Sequence, residues 1–164
     1  MAGFAIHDLA LGPGRIGLCP MPGRDGAYGD DLATVLSWRP GLVVTMVTGA
    51  ELARGAATFP ADLAAAGITW RHLPVADFAA QSAELDSGWA GVSRTARALL
   101  GGGGRVLCHC MGGCGRSGMA VMRLLVEAGE APEAALARLR THRPCAVETE
   151  AQRRWAAAGA LTRG

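Results

Sequence analysis

The run Leu42-Val43-Val44-Thr45-Met46-Val47 is apolar or β-branched throughout, with no alternation of polar positions. A strand of that kind is buried on both faces, as in a parallel sheet covered by helices. Its neighbours alternate in kind. Ala5 to Leu9 and Arg15 to Leu18 read as short strands around a Gly-Pro-Gly turn. Asp30 to Trp38 reads as a helix, ended by Arg39-Pro40-Gly41, and Thr48 is placed to cap a short helix from Gly49. Pro60 to Ala66 is a helix, Ile68 to Leu73 a strand, and Ser82 to Leu100 a long helix stopped by four glycines. Arg105 to His109 is the next strand, followed by helices over Ser117 to Ala128, Pro132 to Arg140 and Thr149 to Ala158. Strands alternating with helices predict an α/β fold with a mostly parallel central sheet flanked by helices.

The chain of 164 residues suits one domain over 1–164, and 50% hydrophobic with 18% charged residues is a globular composition, not a disordered one. A net charge of +2 gives no reason to expect a nucleic-acid partner. All 16 Lys-plus-Arg residues are arginine, so lysine chemistry of the Schiff-base or Walker type is excluded. No window approaches the roughly 18 apolar residues of a membrane span, and the N-terminus lacks a basic signal region. The expectation is a cytoplasmic monomer without a membrane partner. Five cysteines, an odd number, argue against a disulfide framework.

In open parallel sheets, ligands bind beyond the carboxyl ends of strands. The segment His109-Cys110-Met111-Gly112-Gly113-Cys114-Gly115-Arg116-Ser117 falls at such a place. Gly112, Gly113 and Gly115 let the backbone turn its N–H groups inward, and the following helix adds its positive end. That makes an anion pocket. Arg116 can offer two parallel N–H bonds to phosphate oxygens, a fit lysine lacks. The inward amides line this pocket. Cys110 lies at its floor, where amides, dipole and guanidinium all favour a thiolate poised for in-line attack. Ser117 can donate its hydroxyl to that sulfur. Asp77, in a loop after the Ile68–Leu73 strand, is the candidate acid for the leaving oxygen and then the base for water.

Other readings of the same residues stay open. A phosphate-binding module without turnover is weakened by the presence of nucleophile, clamp and acid together. A sulfur-transfer or arsenate-reducing enzyme could use the same cysteine in an anion loop and would not need Asp77. A metal site on Cys108, His109, Cys110 and Cys114 is disfavoured, because adjacent strand residues face opposite ways. His109 reads as a hydrogen-bonding buttress, and His72 and His142 as surface or structural residues.

The loop through Gly118 resembles the signature of the protein tyrosine phosphatase superfamily, and is most similar to its compact dual-specificity branch, such as the cyclin-dependent-kinase-associated phosphatase. Cys19-Pro20-Met21-Pro22-Gly23-Arg24 resembles the early proline-glycine turn of that branch. Trp70 to Asp77 resembles its general-acid loop, and Arg143 to Gln152 its late Arg-Pro-Gly-x-[IV]-Glu-Thr-x-x-Gln stretch. The resemblance implies a three-layer α/β fold, a phosphocysteine intermediate, no cofactor and no metal. The substrate it implies is a phosphorylated protein, with a small phosphomonoester as the other possibility. Cys110, Arg116 and Asp77 match nucleophile, clamp and acid, backbone amides from Met111 through Gly112, Gly113, Cys114 and Gly115 to Arg116 match the phosphate cradle, and Gln152 matches a glutamine that orients the hydrolytic water in part of the superfamily. Cys114 and Cys145 stand where relatives often carry an apolar residue and glycine. They read as small fillers, or as thiols that, with Cys108, could capture an oxidised Cys110.

Overall fold

The computed structural model describes residues 3–162. Five strands form one sheet: β1 (His7–Leu11), β2 (Gly14–Cys19), β3 (Leu42–Thr45), β4 (Thr69–His72) and β5 (Arg105–His109). Their spatial order is β1-β2-β5-β3-β4. β2, β5, β3 and β4 run parallel, and β1 closes the edge as an antiparallel hairpin with β2. The helices are α1 (Tyr28–Trp38), α2 (Gly49–Gly55), α3 (Phe59–Ala65), α4 (Ala83–Gly101), α5 (Gly115–Glu127), α6 (Pro132–His142) and α7 (Glu150–Ala157), with a final 3-10 turn over 158–162. The architecture is the mostly parallel α/β sheet flanked by helices that the alternating pattern predicts.

Burial explains the centre. Leu42, Val43, Val44 and Thr45 of β3, and Val106, Leu107 and Cys108 of β5, have no exposed surface. Strands covered on both faces have no need of polar alternation. On one side, α4, α5 and α7 lock together through Trp89, Trp155 and Glu127. The two indoles meet edge to face at 4.9 Å. The buried Glu127 carboxylate accepts from Ser93 Oγ at 2.5 Å, Trp89 Nε1 at 3.0 Å and Arg123 Nε at 3.1 Å. These donors satisfy a charge that burial alone would penalise, and hold the carboxyl below the usual carboxylate range despite that burial.

Most boundaries differ from the periodicity reading by one or two residues, and three of the differences have a clear local reason. β1 starts at His7 and runs on to Leu11, because Ala10 and Leu11 pair with Arg15 and Gly14 across a two-residue turn at Gly12 and Pro13. β3 ends at Thr45 although Met46 and Val47 stay buried. Met46 still donates to His109 O, but its carbonyl turns to Val75 N–H in the Asp77 loop. α5 starts at Gly115, not Ser117, so Arg116 sits in the first turn of a helix. No helix among the described residues is long and apolar enough to cross a membrane.

Replacing Leu107, wholly buried in the central strand, with alanine removes packing that cannot fully collapse. Chemical denaturation of Leu107→Ala should show a loss of about 3 kcal/mol.

Candidate active site

β5 ends at His109, and the next residues leave the sheet toward α5. Every carbonyl from Cys110 to Cys114 is held by a partner. Cys110 O faces His109 Nδ1 at 3.3 Å. Met111 O accepts from Met21 N–H at 3.1 Å. Gly112 O and Gly113 O accept from Arg143 Nη2 and Nε at 2.9 and 3.1 Å. Cys114 O accepts from Val147 N–H at 3.1 Å and Gly118 N–H at 3.0 Å. A peptide's N–H points opposite to its carbonyl, so outward carbonyls turn the amides inward. Among the described residues, no amide from Met111 to Ser117 donates to a backbone carbonyl. Cys114, at the N-cap of α5, makes no side-chain cap, which leaves the first-turn amides open to an anion.

Two glycines are required by space. Gly113 has φ +72°, and a Cβ there would lie 2.6 Å from Cys19 C and Pro20 N. A Cβ on Gly115 would collide with the Glu148 carboxylate and come within 3.0 Å of the Gln152 amide.

Cys110 Sγ lies 3.2 Å from Ser117 Oγ. Arg116 is buried beside them, with 1% of its side chain exposed. Its Nη1 donates to Glu51 Oε1 at 2.8 Å and to Val75 O at 2.9 Å, and its Nη2 to Glu51 Oε2 at 3.0 Å. Nη2 also reaches Asp77 Oδ1 at 3.5 Å. The Nε of Arg116 is the one buried side-chain N or O atom among the described residues with no partner. Burial works against the Arg116 charge, but the Glu51 carboxylate, with Cys110 and Asp77, more than offsets it and raises the pKa above its ordinary value. In return Arg116 pulls the Glu51 carboxyl down to about 2. Glu51 is held in turn by a capping box at the start of α2, between its own carboxylate and amide and Thr48.

His109 is fully buried, and desolvation lowers its pKa to about 4. The neutral ring fits a relay in which Trp70 Nε1 donates to Thr45 Oγ1 at 2.8 Å and Thr45 Oγ1 donates to His109 Nε2 at 2.7 Å. Nδ1–H is then left for Cys110 O. This is the buttress the sequence suggests, and His72, bonded to Val47 O at 2.8 Å, is structural as expected.

Asp77 lies on the loop after β4, half exposed, and lines one cavity of about 340 Å³ with Cys110, Met111, Gly112 and Cys114. Phe78, 59% exposed and at φ +64°, lines the same cavity, as do Arg24, Arg143 and Glu148. Thus Cys110, Asp77, Arg116, Ser117 and the loop Met111–Gly115 come together. Gln152 abuts the loop at Gly115, with both ends of its amide engaged. Its Oε1 accepts from Glu148 and Thr149 N–H, and its Nε2 donates to Ala79 O at 3.2 Å. It caps α7 and ties that helix to the Asp77 loop.

Cys114 and Cys145 are not separate fillers or free thiols: they form a disulfide between the loop and the segment that carries Arg143 and Val147. The odd cysteine count left room for one such pair. Cys19, Cys108 and Cys110 remain free. Burial pushes the Cys108 thiol up to about 12, which makes it a poor nucleophile toward an oxidised partner. Sequence reasoning missed Glu51, Arg143 and this disulfide. Thr48-x-x-Glu51 is legible as a capping box, but nothing local points it at Arg116.

Two measurements check these contacts. Glu51 is depressed from 4.5 to about 2, so its ion pair contributes stability in full above pH 4.5 and loses it as pH falls toward 2. The stability gap between wild type and Glu51→Gln should therefore close over that window in urea titrations. Alkylation of the unfolded, unreduced chain should label three thiols, and label all five cysteines after reduction.

Comparison with known proteins agrees with this geometry. The chain is similar to Tk-PTP in its active form, with 30% identity, TM-score 0.70 and coverage of 87% of this chain and 88% of that one. It is similar to kinase-associated phosphatase (KAP) carrying serine for its catalytic cysteine, with 23% identity, TM-score 0.81 and coverage of 99% and 97%. It is also similar in fold to PTPMT1 in complex with PI(5)P, with 19% identity, TM-score 0.72 and coverage of 95% and 96%. No curated protein matches the sequence significantly. The family model described as Tc-R-P, polymorphic toxin system, DSP-PTPase phosphatase, matches residues 22–130. With most of its length under that match, the chain belongs to the DSP-PTPase phosphatases, the compact dual-specificity branch of the cysteine-dependent protein tyrosine phosphatases.

Proposed function

We propose that this phosphatase cleaves phosphotyrosine, and secondarily phosphoserine and phosphothreonine, through a phosphocysteine intermediate. The observation that carries the assignment of the site is the buried, unpartnered Nε–H of Arg116 under a ring of inward amides. A buried donor without a partner is costly, and a phosphate oxygen would satisfy it. Glu51 occupies both terminal nitrogens and so fixes the plane of the guanidinium.

The Cys110 thiolate attacks phosphorus in line. The S–P bond forms as the bond from phosphorus to the leaving oxygen breaks. Asp77, protonated, gives its proton to that oxygen. As a carboxylate it then takes a proton from water, which attacks phosphorus and expels Cys110 with release of inorganic phosphate. Ser117 Oγ donates to the departing sulfur. The charge on the equatorial oxygens is met by Arg116 and the amides of Met111 to Arg116, so the reading calls for no metal or cofactor. Gln152 stays out of the chemistry and keeps the Asp77 loop in place.

Phe78 supports the aryl preference. Its ring is exposed beside the acid, at a backbone angle a bulky residue adopts at a cost, and in the cavity where a phenyl ester would stand. We take the protein to act as a monomer in the cytoplasm, with no nucleic-acid partner. A reducing cytoplasm would keep the partly exposed Cys114–Cys145 pair open.

A hydrolysis panel of phosphopeptides, phosphoinositides and aryl phosphates tests the reading. Cys110→Ser should abolish turnover while still binding phosphotyrosine peptide. Asp77→Asn should lower kcat about 10²–10⁴-fold on esters with poor leaving groups and far less on p-nitrophenyl phosphate. Equal losses on both kinds of ester would remove Asp77 from the acid role, and a phosphoinositide as the best substrate would displace the protein assignment.

A further inference from the structure

α4 packs against β2, β5 and β3, and β4 stands beyond it at the end of the sheet. The overhang leaves a groove of about 650 Å³ between β4 and α4, which shares no lining residue with the active-site cavity. Its floor is apolar, made by the buried Leu73 and Val92. Glu84, Gly88, Gly91 and Thr95 follow one another along one face of α4. At the rise of a helix, Glu84 to Thr95 spans about 16 Å, the length of about five residues of extended chain. Leu73 and Glu84 flank the Asp77 loop in sequence, so the groove opens at the catalytic end of the sheet.

Glycine is unfavourable inside a helix, and α4 carries two in this groove. Packing accounts for Gly88, since a Cβ there would lie 2.5 Å from Leu73 Cδ2. It does not account for Gly91, where a Cβ would meet only Arg94 Nη2, at 3.8 Å. What Gly91 keeps open is the groove. The strand wall carries Arg71, whose Nη1 donates to Trp70 O at 3.0 Å, and the helix wall carries Arg94, whose side chain makes no hydrogen bond or ion pair among the described residues. Neither guanidinium meets a carboxylate. Glu84 is the one acid lining the groove, in the first turn of α4. That carboxylate and the apolar floor disfavour a continuous polyanion such as RNA, whereas separate carboxylates on an extended chain suit two separate guanidinium forks.

We propose that this groove docks an extended acidic segment of the protein substrate, away from the phosphorylated residue, with its carboxylates on Arg71 and Arg94. This rests on the protein-substrate reading above.

The test uses a fluorescein-labelled, unphosphorylated peptide with glutamate at alternate positions, and the same peptide with glutamine in their place. By fluorescence anisotropy, wild type should bind the glutamate peptide saturably and about fivefold to tenfold more tightly than the glutamine peptide, and the difference should shrink with added salt. Arg71→Glu and Arg94→Glu should each remove that difference. Gly91→Leu, which fills the groove where the helix has room for a side chain, should do the same without loss of thermal stability. All three variants should hydrolyse p-nitrophenyl phosphate as wild type does. Joined to a phosphotyrosine peptide by flexible Gly-Ser linkers of several lengths, the glutamate stretch should lower KM about fivefold at unchanged kcat, and the gain should vanish in the variants. No saturable binding, equal binding of the two peptides, variants that bind like wild type, no gain in KM at any linker length, or single-stranded RNA that displaces the peptide and binds more tightly overturns this proposal and leaves the catalytic reading standing. Wild type that hydrolyses p-nitrophenyl phosphate but no phosphopeptide overturns the protein-substrate reading and this proposal with it.

Discussion

The site depends on keeping five consecutive carbonyls turned away from its centre. A short loop of glycines has no intrinsic reason to point its amides at one spot, and unpaired N–H groups in a protein interior are unfavourable. Here the outward direction is imposed by two distant parts of the chain, the turn at Met21 and the arch from Arg143 to Val147, and by the adjacent His109, itself backed by distant Thr45 and Trp70. Each carbonyl so occupied leaves its peptide one orientation. The cradle is therefore a tertiary product, although its composition is local.

The same logic governs Arg116. A guanidinium with 1% exposure would be expensive alone, and the Glu51 carboxylate neutralises it with a bidentate contact. That contact also leaves Nε as the unmet donor, so electrostatic compensation and aim come from one pair. Glu51 can serve because Thr48 caps α2 and fixes the first turn from which its side chain reaches out. An N-cap that looks like ordinary helix punctuation thus holds the anion site in register.

Much of this was legible from the chain. The uninterrupted apolar run at Leu42 marks a buried parallel strand. The glycines around Cys110 mark a turn between strand and helix, and Asp77 falls on the loop after β4. What was not legible depended on partners far apart in sequence. Glu51 and Arg116 are separated by 65 positions, and either could have been a solvated surface charge. Cys114 and Cys145 each look like a small filler until the arch closes on the loop. Gln152 matches a familiar position by pattern, yet its amide oxygen is drawn into the Thr149 capping box, a competition that pattern alone does not weigh. The sequence pattern starts α5 at Ser117, two residues late, since Gly115, like any glycine, disfavours a helix in isolation. There it is the one residue that lets Glu148 and Gln152 approach the backbone.

The arch from Arg143 to Glu148 brings these threads together. Arg143 holds two cradle carbonyls and Val147 N–H a third. Val147 does so at φ +65°, a conformation that a β-branched residue enters only when its surroundings demand it. Arg140 holds the arch from below, donating to Ala146 O and Val147 O at 2.9 and 2.8 Å. Gly118 makes room for it, since a Cβ there would meet Val147 N at 2.6 Å. The disulfide adds a covalent tie where hydrogen bonds already set the geometry. Its part is to keep the arch and the loop from separating, and the direction of the amides does not rest on it. On this account the orientation of the cradle belongs to the hydrogen bonds of Arg143 and Val147, whether the sulfur bridge is closed or open.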